Sequence, residues 1–405
     1  MIQPQEAISL IQNIKTKKAT QLLKIEQIPN RVSAMDISAT INLPSFRTSA
    51  MDGYAMKLAY INQTHEIVGT ILSGEYKSFD IEDSQAVKIM TGACVPENTD
   101  VVVPIENVQF INNKIKVIGS FKQNQNIRAV GEDVKIGENI IKKGQTINFA
   151  NISLLSSQGI SEVLVYKKPK VAIFASGEEL KAHNTKIEKN QIYNSNSPSL
   201  IARCQELHCD VTFIGTAKDS IKSLMQHIEK SLDFDLVITS GGVSVGDADF
   251  TKEAFDRFDM DTIFQDIAIK PGRPTIFGKI KDTFVLNLPG NPFASQIIFE
   301  MFGTILLQKL KNSNDIFHKQ YRAKLKDSFS HKPRTTTLLP GFFDGEYFKV
   351  ATKKLPGMVS VLNQNNSFIV LEKSVKQLQK EKILEVININ NKEFVENYKD
   401  ILTYE

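Results

Sequence analysis

Paired cysteines, a one-sided charge, a membrane-length apolar run and a dinucleotide-binding glycine signature are all missing from this chain. Each absence removes a class of protein. The 405 residues contain three cysteines, Cys94, Cys204 and Cys209. They show no CxxC spacing and no nearby histidine pair, so neither a disulfide framework nor a zinc site is expected, and reduced thiols in a cytoplasm fit better. The formal net charge is only +4, with both signs interspersed, which argues against a nucleic-acid or membrane surface. The short lysine runs (Lys15, Lys17, Lys18; Lys167, Lys168, Lys170) read first as solvated faces. The start, MIQPQEAISLIQNIK, lacks the basic opening and apolar core of a signal peptide. The most apolar helical stretch, QIIFEMFGTILLQKL, carries Glu300 and is shorter than the ~20 residues of a membrane span. Repeats and low-complexity tracts are absent, and a cytoplasmic globular protein is expected.

What is present falls into regions of different texture. At ~150 residues per domain the length suggests two to four domains. Ile8, Ile11 and Ile14 give residues 5–18 the spacing of an amphipathic helix. From about 41 to 145 come short β-rich runs (AVKIM, DVVVPI, VQFI, KIKVI) separated by turn signals. Asn148 then reads as the cap of a helix that Gly159 ends. Residues 170–310 alternate apolar strands (KVAIFAS, DVTFIGTA, FDLVITS, TFVLNL) with helices, the pattern of a mainly parallel, doubly wound sheet covered on both faces. In this reading Ser197 caps one helix, Asp219 begins the next, and a long helix runs from Asn291. Beyond 318 short strands return (YRAKLKD, TTTLL, YFKVAT, SFIVLEK, ILEVININ), predicting a small C-terminal β domain. The expected division is a discontinuous helical/linker domain (1–45 with 138–168), an inserted β-rich domain (46–137), an α/β domain (169–318) and a β-barrel-like domain (319–405).

Chemistry is expected where the parallel strands end, because an open parallel sheet binds ligands beyond its carboxyl edge. Ser176-Gly177-Glu178-Glu179, Asp219, the stretch SGGVSVGDADFTK and LPGNP all follow strands of one sheet. Gly241, Gly242 and Gly246 let backbone N–H groups approach a phosphate, with a helix N-terminus behind them. Read alone, the same turn is equally a ligand-free joint between strand and helix. Asp219, Asp247 and Asp249 are likewise explained by capping and the helix dipole, worth ~0.3–1 kcal/mol each. Together, acids and phosphate conflict: at ~4 Å and an effective dielectric near 20 each such pair costs about 4 kcal/mol. A cation between them resolves the conflict, and Mg²⁺, which binds through one or two carboxylates plus phosphate oxygens, is the natural choice. Lys270 and Arg273 flank Pro271-Gly272 and present two positive charges on a short arc, suited to a second anion or equally to salt bridges with helices. In LPGNPFAS, Pro289 and Pro292 stiffen the backbone around Gly290 and Asn291, whose N–H groups open a helix.

These motifs, with SAMDGYAM at 49–56, KIMTGACVP at 88–96, NIRAVGEDVKIGE at 126–138 and QIYNSNSPSL at 191–200, resemble the molybdopterin molybdenumtransferase family in order along nearly the whole chain. The resemblance implies insertion of molybdenum from molybdate into adenylylated molybdopterin, with Mg²⁺-dependent release of AMP. It implies that Asp219 and Asp249 are metal-side carboxylates and that Lys270 and Arg273 face molybdate. Glu179, Pro289 and Pro292 fall on active-site positions, and Ser244 and Asp247 lie in the substrate-binding glycine stretch. Asp52 and Thr91 match residues that reach the other subunit's crevice, so the resemblance also implies a homodimer with shared active sites. Arg334 and Ser360 match further anion contacts, and a transient contact with the adenylyltransferase is a further expectation. Asn194 stands where the family commonly has Asp, giving up one charge; Asp266 stands where it often has a base, and that change makes the expected anion pocket less positive.

Three other readings fit the sequence less well. A nicotinamide-dependent dehydrogenase needs GxGxxG after the first strand, and FASGEEL does not supply it. A molybdopterin adenylyltransferase, usually one small domain, leaves the 46–137 and C-terminal regions unexplained. A non-enzymatic oligomeric scaffold gives no reason to set Asp219 and Asp249 against Lys270.

Overall fold

The structure, a computed structural model, describes residues 1–75, 77–241 and 250–389. At its centre lies a six-stranded sheet in the order Asp210–Ala217, Lys170–Ser176, Leu236–Ser240, Thr283–Leu288, Ile276–Ile280 and Asp261–Gln265. The first four strands are parallel, and Ile276–Ile280 runs against both its neighbours. Successive side chains of a strand point to opposite faces, and here both faces are cores. Val171, Ile173, Leu236, Ile238 and Leu286 pack on one side, and Ala172, Phe174, Val237 and Val285 on the other. Asn196–Glu206 and the helical run from Pro292 cover the first face, and Ile221–Ser231 and Phe250–Asp256 the second. Burial on two faces is why the three inner parallel strands are mostly apolar, whereas the edge strand Asp210–Ala217 is largely exposed, and the doubly wound architecture is as the alternation predicts.

Four strands were expected here and six are present. Asp261–Gln265 has two apolar residues and Ile276–Ile280 contains Gly278 and Lys279, so neither reads as an apolar run. Gly278 is a packing requirement: a Cβ there would sit 2.7 Å from the Asp261 carbonyl oxygen of the adjacent strand.

Residues between 46 and 137 form a second six-stranded sheet, ordered Val101–Pro104, Gly53–Met56, Gln85–Ile89, Thr64–Ile71, Lys114–Val117 and Val108–Ile111. In the C-terminal region Thr336–Phe343, Tyr347–Val350, Gln320–Leu325, Ile383–Asn388 and Ser367–Leu371 pair in that order. Ser367–Leu371 pairs back onto Thr336–Phe343, which closes a five-stranded barrel. The short strand Ile269–Lys270 pairs in parallel with Thr336–Phe343, so a loop of the α/β unit extends the barrel wall.

Asn148 caps Phe149–Ser157 through a reciprocal box with Asn151, and Gly159 follows at φ +70°. The first helix is shorter than its periodicity predicts, Pro4–Gln12, and it buries Ala7 and Ile11 in the α/β core. Thr20–Lys24 pairs with Glu162–Tyr166 and Ile37–Ser38 with Asn139–Ile141. We propose the division 1–45 with 138–168, 46–137, 169–318 and 319–405 on this basis, with the first helix seated on the α/β unit.

Candidate active site

The turns after the four parallel strands enclose one cleft of about 980 Å³. Ser176, Gly177 and Glu179 follow the first strand, Asp219 the second, Ser240 and Gly241 the third, and Pro289, Gly290, Asn291 and Pro292 the last; all line it. Two glycines let the turns come this close. Gly241 has φ +98°, and a Cβ on it would lie 2.5 Å from the Ser176 carbonyl oxygen, so conformation and space both exclude a side chain. A Cβ on Gly290 would meet Gly241 Cα at 3.3 Å, so the third and fourth turns touch backbone to backbone.

Asp219 does not cap the helix it precedes. Ser220 is the cap residue of Ile221–Ser231, its hydroxyl accepting from the Ser223 N–H at 3.3 Å. The Asp219 carboxylate instead accepts from the Ser176 hydroxyl at 3.0 Å and the Glu178 N–H at 3.3 Å. These donors are neutral, and no cationic side chain pairs with Asp219 among the described residues. Its charge is therefore oriented but not cancelled, and the capping explanation falls away. Glu179 folds back over Gly177, where a Cβ would come within 2.8 Å of its Oε2.

One wall comes from the barrel region. Gly357 and Val359 line the cleft, held there by the Ala294 N–H donating to the Pro356 carbonyl at 3.3 Å. Ser360 follows at the start of Val361–Gln364, beside the cleft rather than in its lining. The expected cations occupy an adjoining edge. Residues 266–275 form a closed loop, with the Ile267 N–H donating to the Arg273 carbonyl at 2.9 Å and the Asp266 N–H to the Thr275 carbonyl at 3.1 Å. Lys270 and Arg273 are exposed on it, and Pro274 of the same loop enters the cleft lining. Arg273 Nε lies 3.9 Å from Asp266 Oδ1, so the unusual acid at 266 pairs weakly with a cation of its own loop, not with a helix. Arg334, also exposed, is brought alongside by the Thr335 hydroxyl, which donates to the Ala268 carbonyl at 2.5 Å.

Asp52 and Thr91 do not line this cleft. They meet on the 46–137 sheet region, where the Thr91 N–H and hydroxyl both donate to Asp52 Oδ1, at 2.7 and 2.8 Å. Those two bonds, the N–H first, hold the Asp52 carboxyl below its ordinary range. Gly242, Ser244, Gly246, Asp247 and Asp249 lie outside the described residues. Among the described residues no group of three His, Cys, Asp or Glu gathers as a metal cluster.

The pattern QIYNSNSPSL holds a residue that the sequence reading passed over. Asn196 lines the cleft, donates from Nδ2 to the Gly290 carbonyl at 2.8 Å, and leaves Oδ1 buried without a partner. The helix after it starts earlier than expected, at Asn196, not after Ser197. Asn194 is buried and fully used: Oδ1 accepts from the Ser197 N–H at 3.0 Å and Nδ2 donates to the Ser197 hydroxyl at 2.9 Å.

Comparison with known proteins agrees with this layout. Residues 2–159 match the MoeA N-terminal region (domain I and II), and residues 172–309 match the probable molybdopterin binding domain. A molybdopterin molybdenumtransferase of Haemophilus influenzae is 37% identical over 306 residues, covering 75% of this chain and 76% of that protein. One of Staphylococcus epidermidis is 28% identical over 98% of this chain and 97% of its own. A solved molybdopterin biosynthesis MoeA protein from Pyrococcus horikosii superposes with a TM-score of 0.83 at 28% identity, covering 96% of this chain and 100% of that one. No helix among the described residues is long and apolar enough to cross a membrane. The chain belongs to the molybdopterin molybdenumtransferase family, transferases of molybdenum cofactor biosynthesis.

Proposed function

We propose that this enzyme inserts molybdenum from molybdate into adenylylated molybdopterin and releases AMP in an Mg²⁺-dependent reaction. The observation that carries the reading is Asp219: a cleft-lining carboxylate oriented by neutral donors, with its cap role taken by Ser220. A charge kept uncancelled beside a glycine turn suits a ligand that arrives with a cation. The donors fit magnesium, since Asp219 offers hard oxygen and the cleft holds a further unpartnered oxygen, Asn196 Oδ1. Asp219 and Asp249 would hold the ion, which when bound supplies charge neutralisation and polarisation of a phosphoryl oxygen. The chain's own residues do the rest by position. Gly241 and Gly290 admit the nucleotide's phosphates to backbone contact, and Glu179 and Asn196 border the same space. Lys270, Arg273 and Arg334 form the edge that binds molybdate as substrate. Arg273 is available for this role because its pairing with Asp266 is long and solvent-exposed, a contact worth little.

We extend the proposal to a homodimer in which Asp52 and Thr91 serve the partner's cleft, and to a transient encounter with the adenylyltransferase that supplies the substrate. The test is incubation with adenylylated molybdopterin, Mg²⁺ and molybdate while AMP is followed. AMP release that requires all three supports the reading; release indifferent to molybdate refutes it. The scaffold alternative predicts no turnover, and the adenylyltransferase alternative predicts nucleotide transfer onto molybdopterin instead.

A further inference from the structure

Far from the cleft, at the joint between the pair Thr20–Lys24/Glu162–Tyr166 and the α/β unit, positive charge is buried without matching negative charge. Arg31 and Lys311 are each only 7% exposed. Together with Asn30, Tyr166, Lys168 and His208 they line a small pocket, open on the side of the exposed Asn30 and His208. Arg31 Nη2 donates to the Tyr166 carbonyl at 2.6 Å, and the Gln21 side-chain oxygen accepts from both terminal nitrogens at 2.6 and 2.9 Å once its amide is turned. All of these acceptors are neutral. The Lys311 ammonium makes no hydrogen bond or ion pair among the described residues; its electrostatic neighbours are Cys209, Arg31 and Lys168. Cys209 is no counter-charge, because burial pushes its thiol up to about 11. Asp210 is the one acid in reach among the described residues: it lies 4.0 Å from Lys168 and acts on Arg31 through its charge without a hydrogen bond.

A buried charge without a partner is costly unless something compensates it. The surroundings report the same excess. Burial, joined by Lys311 and Lys168, disfavours the charged form of His208, and burial, joined by Arg31 and Lys168, disfavours that of Lys311. We propose that a monovalent anion such as chloride occupies the pocket between the Arg31 guanidinium and the Lys311 ammonium and fastens the N-terminal strand pair to the α/β unit. None of these residues lines the cleft, so the two sites are separate.

The test uses the full chain. Thermal unfolding is followed by circular dichroism in sodium chloride and in sodium gluconate at equal ionic strength, for the parent and for Lys311→Met. An anion that binds only the folded state raises its midpoint with concentration. Chloride should therefore raise the parent's midpoint by a few degrees, and the variant should respond equally to both salts. Crystals soaked in bromide should give an anomalous peak between Arg31 and Lys311. Equal midpoints in the two salts, a chloride response undiminished in Lys311→Met, or bromide-soaked crystals with no peak there would each overturn the proposal. If Lys311→Met does not fold, the bromide experiment on the parent decides.

Discussion

Two carboxylates of the α/β unit, Asp219 and Glu300, are held in opposite ways. Glu300 is buried in the helical run behind the sheet, its side chain 7% exposed, and Arg203 forks it: Nε donates to Oε1 at 2.8 Å and Nη2 to Oε2 at 3.1 Å. Asp219 lies at the carboxyl edge and, among the described residues, meets only a hydroxyl and a backbone N–H. Where a carboxylate serves packing, the protein cancels its charge from within. Where one borders the cleft, the protein fixes its direction with neutral donors, as the proposed metal site requires. On the proposed reading, this difference marks a structural acid apart from a metal-side one without reference to motif.

The comparison breaks most visibly at Asp219. Asp219→Asn keeps the shape, and the loss of one weakly bonded acceptor should cost at most about 1 kcal/mol of stability. Molybdate-triggered AMP release should fall about 100-fold or more, the scale seen when metal sites are disturbed. Near-parental turnover would remove Asp219 from the metal site. Arg203→Met tests the other carboxylate. It strands Glu300 in the interior, and the expected cost is about 3 kcal/mol, at the low end for a broken buried pair because Arg203 keeps a 24% exposed side chain. Denaturant unfolding should show that loss, turnover per folded molecule should stay unchanged, and adding Glu300→Gln should restore most of the stability. A turnover loss matching that of Asp219→Asn would erase the distinction.

Lys270→Ala sharpens the comparison from the cationic side. Losing one charge-assisted contact to molybdate at an exposed position should raise the molybdate concentration for half-maximal AMP release about tenfold, with nucleotide affinity unchanged in a direct binding measurement. Equal loss of both would make Lys270 a structural lysine of the loop that joins the barrel.

Much of this was legible in the residues. The four parallel strands, the five C-terminal strands and the Asn148 cap depend on local pattern, and burial on both faces makes the three inner parallel strands mostly apolar. The convergence of Glu179, Asp219, Gly241 and Pro289–Pro292 followed from one rule about where parallel sheets bind ligands. Other features depend on neighbours distant in sequence, which local pattern does not carry. Ile269–Lys270 is a strand because Thr336–Phe343 lies beside it, and Ile276–Ile280 is one despite Gly278 because that glycine admits the Asp261 carbonyl. Ser220 rather than Asp219 takes the cap because Ser176 and Glu178, some forty residues earlier, draw the aspartate away. Asn196 gave no signal of charge or spacing; its unpartnered Oδ1 shows only once the Gly290 carbonyl is seen to engage the other end of the amide.

The smallest effect is expected at Asp52, which is held like Asp219, by an N–H and a hydroxyl, but on a different sheet. Thr91→Val removes the hydroxyl and keeps the N–H, the larger of the two causes lowering the Asp52 pKa. Carbon-detected NMR should therefore find the Asp52 carboxyl titrating higher in the variant, while still below an ordinary aspartate. The sign for stability follows: a depressed folded pKa contributes stability above the unfolded value and loses it as pH falls through the folded one. The parent's margin over Thr91→Val should accordingly be complete at neutral pH and shrink on acidification through the carboxylate range. If Asp52 serves the partner's cleft, AMP release should also drop modestly in Thr91→Val, and mixing it with Asp219→Asn should form hybrid dimers that keep one cleft with both an intact Asp219 and an intact Thr91. Activity in the mixture above the sum of the two separate variants supports the shared site, and strict additivity refutes it.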